Sequence, residues 1–130
     1  MENIRVPVSP GEVLDKITIL EVKSERMSDP EKVANVRVEL VLLKETWSQA
    51  VAEDDVVREL HTQLKEINEA LWEIEDDIRD KERAREFDQR FIELARSVYF
   101  TNDRRSEVKK KLNLHLGSQI IEEKSYQDYA

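Results

Sequence analysis

The chain has 130 residues, 38% of them charged, and a formal net charge of -8. Such an acidic surface excludes a general nucleic-acid binder, because phosphate neutralisation requires a basic face. The absence of cysteine excludes disulfides, thiolate zinc sites and a cysteine nucleophile. No stretch is apolar enough to insert into a membrane, and no cleavable leader is recognisable. We therefore expect a cytoplasmic protein whose residues 1–130 form one domain.

An extended lead over residues 1–8 precedes the first helix signal. Ser9 is the predicted N-cap, Pro10 the first helical residue and Glu12 the reciprocal partner in a capping box. Apolar residues lie on two sides of the segment that runs to about Arg26, which indicates a helix packed between neighbours.

A second helix signal follows at Asp29, the predicted N-cap, with Pro30 as the first helical residue. Apolar residues at helical spacing then continue from Val33 to Val51, so we expect this helix to end near Ala52.

The third segment carries the clearest pattern of the chain. Its apolar residues alternate at steps of three and four, the spacing of one continuous helical seam. They are Val57, Leu60, Leu64, Ile67, Leu71, Ile74 and Ile78. This pattern predicts a long helix that continues to about Ala84 and packs against other helices.

A fourth periodic segment starts at Phe87, and Gly117 is the predicted residue just beyond its end. The fold class is therefore all-α: an antiparallel bundle of three to four long helices, with the extended lead and a docked tail over residues 118–130. Ile120 and Ile121 are the residues expected to dock that tail.

Polar residues interrupt the apolar stripe of this fourth segment. Asn102 and Arg105 fall where apolar side chains belong, and Thr101 and Lys109 lie at its edges. One explanation is a helix break at 101–103, three residues that favour caps. The others are a continuous helix with an internal ion pair, or one that presents these side chains to an anionic ligand such as a phosphate or carboxylate.

Four carboxylates on the third helix form an acidic ridge, at positions i, i+3, i+4 and i+7. They are Glu73, Asp76, Asp77 and Asp80. Such a ridge could hold Mg²⁺, since hard cations take carboxylate oxygens. However, it points roughly 140° away from the apolar seam at about 100° per residue. We therefore expect a solvated face and no metal or cofactor, with Mg²⁺ as the weaker alternative.

Apolar residues outside the seam suggest a surface between molecules. Trp72 and His61 lie on the flank of the third helix, and Trp47 adds a second large indole. Tryptophan is over-represented at interface hot spots, although packing against the docked tail explains it equally well. We expect a homo-oligomer, most simply a dimer, whose interface includes these three residues.

Several segments together resemble a family of small bacterial proteins classed as a domain of unknown function. They are Val6 to Glu12 (VPVSPGE), Asp15 to Leu20 (DKITIL), Leu71 to Arg79 (LWEIEDDIR), Leu94 to Tyr99 (LARSVY), Thr101 to Asp103 (TND) and Glu122 to Tyr126 (EEKSY). The likeness covers nearly the whole chain. It implies no mechanism, but it draws attention to polar residues that a pure scaffold does not need, among them Asp103 and Lys124.

These observations leave three functional hypotheses. The first is a non-catalytic interaction or assembly module. The second is an enzyme or sensor for a phosphate- or carboxylate-bearing small molecule. Its ligand-binding residues would be Asn102, Arg105, Lys109, Glu12, Asp15 and Lys16. The third is a magnesium-dependent enzyme similar to all-α nucleoside triphosphate pyrophosphohydrolases; helical chorismate mutases, which bind a dicarboxylate through buried cations, are a comparably weak analogy.

Overall fold

The computed structural model describes residues 1–129 and contains four helices in that range. They are α1 (Pro10–Arg26), α2 (Pro30–Ala50), α3 (Asp55–Ala84) and α4 (Gln89–His115). No strand occurs in the described residues, so the all-α prediction is confirmed. None of these helices is both long and apolar enough to cross a bilayer. Residue 130, the last of the expected tail, lies outside the described residues.

Each helix begins at a side chain that caps its backbone donors. Ser9 Oγ accepts from the backbone nitrogen of Glu12 at 3.2 Å, and Asp29 accepts from the first turn of α2. Asp54 and Asp88 do the same for α3 and α4. The helix starts predicted at Ser9 and Asp29 are therefore confirmed. The reciprocal half of the capping box is replaced, because the Glu12 carboxylate accepts from a lysine of α4.

Helix α4 is continuous through residues 101–103, which excludes the helix break and leaves the two explanations that require a continuous helix. Three potential cap residues do not end a helix whose next turns are held by packing on both sides. The helix starts at Gln89, two residues after the expected start, and Phe87 lies in the preceding turn. Gly117 adopts φ +66°, the left-handed conformation predicted for the residue beyond the C-terminus.

Helix α1 is the centre of the bundle, since it packs against α2, α3 and α4, and α2 packs closely against α1 alone within residues 1–129. The core combines side chains of all four helices. It contains Leu14, Ile17, Leu20, Val36, Leu40, Trp47, Val57, Leu60, Leu64, Ile67, Val108 and Leu112. Trp47, one of the residues expected at an intermolecular interface, is 7% exposed and packs inside the core of the chain.

Helices α3 and α4 extend together beyond the other two helices as a two-helix arm. We call residues 69–100 the distal hairpin. Leu94 is the only buried side chain in this range. The last three residues of the α3 seam, Leu71, Ile74 and Ile78, are only half-buried, whereas the first four are buried. The same seam is therefore closed at one end of the molecule and partly open at the other.

Candidate functional site

A polar junction forms where α1, α3 and α4 meet. Three pairs fix the antiparallel arrangement of α1 and α4: Gly11 with Asn113, Glu12 with Lys109, and Asp15 with Arg105. We define the polar junction as the side chains of these three pairs together with one further residue of α1, Thr18, and one of α3, Asn68. Its members are Glu12, Asp15, Thr18, Asn68, Arg105, Lys109 and Asn113.

Asp15 is the centre of the junction and is only 2% exposed. Its two oxygens accept from Arg105 in a bidentate arrangement, Nε to Oδ1 at 2.9 Å and Nη2 to Oδ2 at 2.5 Å. Asn68 Nδ2 donates to Oδ1 at 3.0 Å and also to Thr18 Oγ1 at 2.8 Å. A buried carboxylate needs this many donors, because an unpaired charge in the interior costs several kcal/mol, on the order of 3–5.

Arg105 remains partly accessible although its partner is buried. The hydrogen bonds from its guanidinium to Asp15 raise its pKa, against the opposing effect of burial. Its Nη1 also donates to Asn102 Oδ1 at 3.3 Å. Three of its five N–H groups thus have partners within residues 1–129, which leaves two for a further acceptor.

Lys109 is 8% exposed and lies between three carboxylates. Its Nζ donates to Glu12 and to Glu122 of the tail, both at 2.8 Å, and lies 3.9 Å from Asp15. Burial alone lowers the pKa of this ammonium, but the hydrogen bonds and the carboxylate charges outweigh burial and raise it. Lys109 is therefore a permanent cation at neutral pH and does not serve as a base.

The close approach of α1 to α4 requires glycine at position 11. A Cβ there would lie 2.8 Å from the Lys109 carbonyl oxygen and 2.9 Å from Asn113 Oδ1. Instead, the Gly11 backbone nitrogen donates to Asn113 Oδ1 at 2.7 Å. This contact satisfies one of the free donors in the first turn of α1 and sets the spacing of the two helices.

The junction opens into a groove between α4 and the tail. The groove has a volume of about 1100 Å³. Its α4 wall includes Asn102, Arg105, Ser106 and Lys109, and its tail wall includes Glu122 and the segment that follows. Two junction cations thus lie at the base of an accessible concave surface.

Polar and aromatic contacts hold the tail over this groove. Lys124 forms a salt bridge with Asp103, and the Tyr129 hydroxyl bonds the same carboxylate. These bonds lower the pKa of Asp103, and the same interaction raises the pKa of Tyr129 to about 12. The Tyr129 ring packs 5.1 Å from Tyr99, centroid to centroid. The tail docks through these contacts, while Ile120, which was expected to dock it, is exposed.

The junction contains four of the six residues predicted to bind a ligand, Arg105, Lys109, Glu12 and Asp15, and a fifth, Asn102, accepts a hydrogen bond from Arg105. Lys16 is the exception, because its Nζ pairs with Glu39 of α2 at 2.8 Å. Its position next to Asp15 in sequence places it on another face of α1. Arg105 and Lys109 pair with carboxylates of the chain itself, as the ion-pair explanation expects. The same two cations also line the groove, which is where the ligand hypothesis places an anion.

The acidic ridge of α3 is exposed along its whole length at Glu73, Asp76, Asp77 and Asp80. Glu73 accepts from Arg26 at 3.2 Å, and Asp80 pairs with Arg83 at 3.6 Å. Within residues 1–129, no group of three or more acidic or histidine side chains is arranged to hold a metal ion. The geometry of the ridge thus matches a solvated face paired with arginines.

The three residues predicted for an interface have different environments. Trp47 lies in the core, where its Nε1 donates to Glu53 at 3.0 Å. His61 Nε2 contacts Glu21 of α1 at 2.7 Å, so it joins α3 to α1 within the chain. Trp72 is half-buried on α3. These positions do not form one exposed patch.

Sequence reasoning missed three members of the polar junction, Thr18, Asn68 and Asn113, and also Glu122, which contacts the junction from the tail. Asn68 and Asn113 each follow a buried apolar residue. Helical periodicity therefore places them at the edge of an apolar face, where a polar residue is ordinary and predicts no site. Gly11 was an available signal, since a glycine in the first turn of a helix implies a close backbone contact. Glu122 joins the site only because the tail folds back onto α4.

The chain belongs to a family of unknown function (DUF6165), whose model matches residues 4–129. No curated protein and no solved structure matches the chain significantly. The family assignment agrees with the resemblance seen in the sequence and brings no activity with it.

Proposed function

We propose that this member of the family binds a small anionic molecule, with a carboxylate or phosphate group, in the groove between α4 and the tail. One observation carries the proposal: a carboxylate of the chain itself, Glu122, already occupies the accessible donor of Lys109 at 2.8 Å. The Glu122 side chain is 63% exposed and belongs to the tail, outside the four helices, so it can leave without opening the core.

The remaining donors of the groove suit an oxyanion. Once Glu122 withdraws, Lys109 offers a donor beside the two unused N–H groups of Arg105. Planar guanidinium groups and ammonium groups are the common protein partners of carboxylates and phosphates. The buried Asp15 fixes the guanidinium in place, so little side-chain entropy is lost when a ligand binds.

Binding fits this arrangement better than catalysis does. Asp15 is buried and bound by several donors, and the raised pKa values of Arg105 and Lys109 keep both as cations. A general acid or base needs a pKa near the working pH. We therefore propose a binding or sensing role, in which the ligand replaces a tail carboxylate.

The test is calorimetric titration of the full chain with sodium phosphate and with sodium succinate, at constant ionic strength set with sodium chloride. The informative variant is Glu122→Gln, and its matched control is Glu107→Gln, at an exposed position of α4 that does not line the groove. Removal of the competing carboxylate is expected to tighten binding about three- to tenfold, the effect of one charge-assisted hydrogen bond at an exposed site. Glu107→Gln is expected to bind like the unchanged chain.

A second variant tests the guanidinium. Arg105→Lys keeps the charge opposite Asp15 but loses the planar fork, so it is expected to weaken binding while circular dichroism shows that the helices remain. The proposal would be overturned if neither phosphate nor succinate, at concentrations up to about 10 mM, gave a heat of binding with the unchanged chain or with Glu122→Gln. A Kd above about 10 mM corresponds to a binding free energy of less than about 3 kcal/mol.

A further inference from the structure

The groove between α4 and the tail carries more negative than positive charge. A molecule whose only charge is negative would make the groove more acidic when it displaces Glu122 from Lys109, and like charges close together cost free energy. A ligand that also carries a cation avoids this repulsion. The charged lining residues among those described are the cations Arg105, Lys109 and Lys124 and the carboxylates Asp103, Glu122, Glu123 and Asp128.

The tail itself presents a carboxylate and an ammonium group to α4. Glu122 accepts from Lys109 Nζ at 2.8 Å, and two residues later Lys124 forms a salt bridge with Asp103. The Lys124 ammonium also lies 5.3 Å from the centre of the Tyr126 ring, a distance at which an aromatic face attracts a cation. Helix α4 thus offers a cation and an anion to the groove, and the tail places the opposite charge on each.

We infer that the ligand of this groove is an amino carboxylate with well-separated charges, whose carboxylate replaces Glu122 on Lys109 and whose ammonium replaces Lys124 on Asp103. This assignment rests on the proposed function, because it names the chemical class of the molecule that binds the same groove. Both tail side chains are accessible, Glu122 at 63% and Lys124 at 30%, and the tail lies outside the four helices. The exchange therefore leaves the helical core intact.

The spacing of the two contacts sets the length of the ligand. Lys109 and Asp103 are six residues apart on α4, which is about 9 Å along the axis at about 1.5 Å per residue. Glu122 and Lys124 are two residues apart, so their Cα atoms are at most about 7 Å from each other. A ligand that replaces both side chains needs its charges separated by a similar distance, which a flexible chain of several methylene groups provides.

Calorimetric titration of the full chain with 6-aminohexanoate and with hexanoate, at constant ionic strength, tests this assignment. The two probes differ only in the terminal ammonium group. The measured quantity is the ratio of their Kd values, which cancels any effect of a variant on the carboxylate end of the groove. We expect 6-aminohexanoate to bind about three- to fivefold more tightly than hexanoate, the gain from one further ion pair at an exposed site.

The informative variant is Asp103→Asn, which removes the carboxylate assigned to the ligand ammonium. Its matched control is Glu107→Gln, at an exposed position of α4 that does not line the groove. The preference for 6-aminohexanoate is expected to disappear in Asp103→Asn and to persist in Glu107→Gln. Lys124→Gln removes the competing ammonium of the tail and is expected to increase the preference.

Equal binding of the two probes to the unchanged chain would overturn the assignment, and so would a preference that Asp103→Asn leaves intact. In both cases hexanoate still binds, so the proposed function stands. If hexanoate, 6-aminohexanoate, phosphate and succinate all give no heat of binding, the proposed function and the assignment are both overturned.

Discussion

The two halves of the α3–α4 pair carry one apolar pattern but occupy different environments. In the first half, α1 covers the seam and contributes Asp15, which joins Arg105 and Asn68 in a buried polar network. In the distal hairpin, ion pairs such as Arg26 with Glu73 lie on the surface and the apolar residues remain partly open. The difference shows that the packing of α1 onto α3 and α4, and not the apolar pattern of α3 itself, buries the seam and forms the polar junction.

The same comparison separates two kinds of ion pair. Arg105 neutralises the Asp15 carboxylate, which is buried away from water. Loss of one partner therefore leaves the other charge without its counter-ion, which lowers the free energy of unfolding. Arg26 with Glu73 joins two helices in solvent, where a typical pair contributes only about 0–1 kcal/mol. Similar chemistry therefore has a structural role in one half and little effect in the other.

The largest expected effect comes from breaking the buried pair. Asp15→Ala removes the carboxylate and leaves Arg105 without its main partner, while Asn68 loses an acceptor. Because the guanidinium can partly turn to solvent, we expect the free energy of unfolding to fall by about 3 kcal/mol. Urea denaturation measures this change. The distal control Glu73→Ala is expected to cost less than about 0.5 kcal/mol, and equal losses in both variants would contradict the comparison.

A smaller difference is expected between one variant in each half of the seam. Leu64 is fully buried, and Leu64→Ala is expected to cost about 3 kcal/mol through lost transfer energy and a cavity. Ile78 is half-buried, and Ile78→Ala is expected to cost about 1 kcal/mol in the monomer. Thermal unfolding at low protein concentration measures both losses of stability. A larger loss for Ile78→Ala than for Leu64→Ala would contradict the comparison, because the distal hairpin would then contribute more to the core than its exposure indicates.

The smallest effect on stability is expected for the tail. Asp103→Asn removes the charge that holds Lys124 and Tyr129, so the tail should detach and trypsin should cleave after Lys124 faster. The melting temperature should hardly change, because these contacts lie outside the four-helix core. Glu107→Gln, at an exposed position of α4 outside the groove, serves as the control and should leave the cleavage rate unaltered.

Acid should release the tail in the same way. The folded pKa of Asp103 lies below its ordinary value of 3.8, so this contact contributes stability above about pH 3.8. The contribution is lost as pH falls through the lower folded pKa. Hydrogen exchange of residues 118–129 between pH 5 and pH 3 would measure the release, and in Asp103→Asn the tail should exchange fast throughout.

Local patterns predicted much of the fold because caps and helical periodicity depend on neighbouring residues. Ser9 and Asp29 mark the starts of α1 and α2, and Gly117 lies just beyond the end of α4. The polar interruption at Asn102 and Arg105 also located the junction, since a charged residue in an apolar stripe demands a partner. The partner, Asp15, was named only as one of six candidate residues, and another of the six, Lys16, pairs with Glu39 of α2 instead.

The sequence alone thus determined the helices, the seam and the need for a polar site, because each follows from side-chain spacing along one helix. Only the tertiary structure decided which carboxylate neutralises which cation, and that α4 stays continuous through residues 101–103. It also brought Glu122 onto Lys109 from a segment beyond the last helix. Contacts between residues 13 to 102 positions apart depend on how helices pack, and a periodic pattern fixes the face of a helix but not its neighbour.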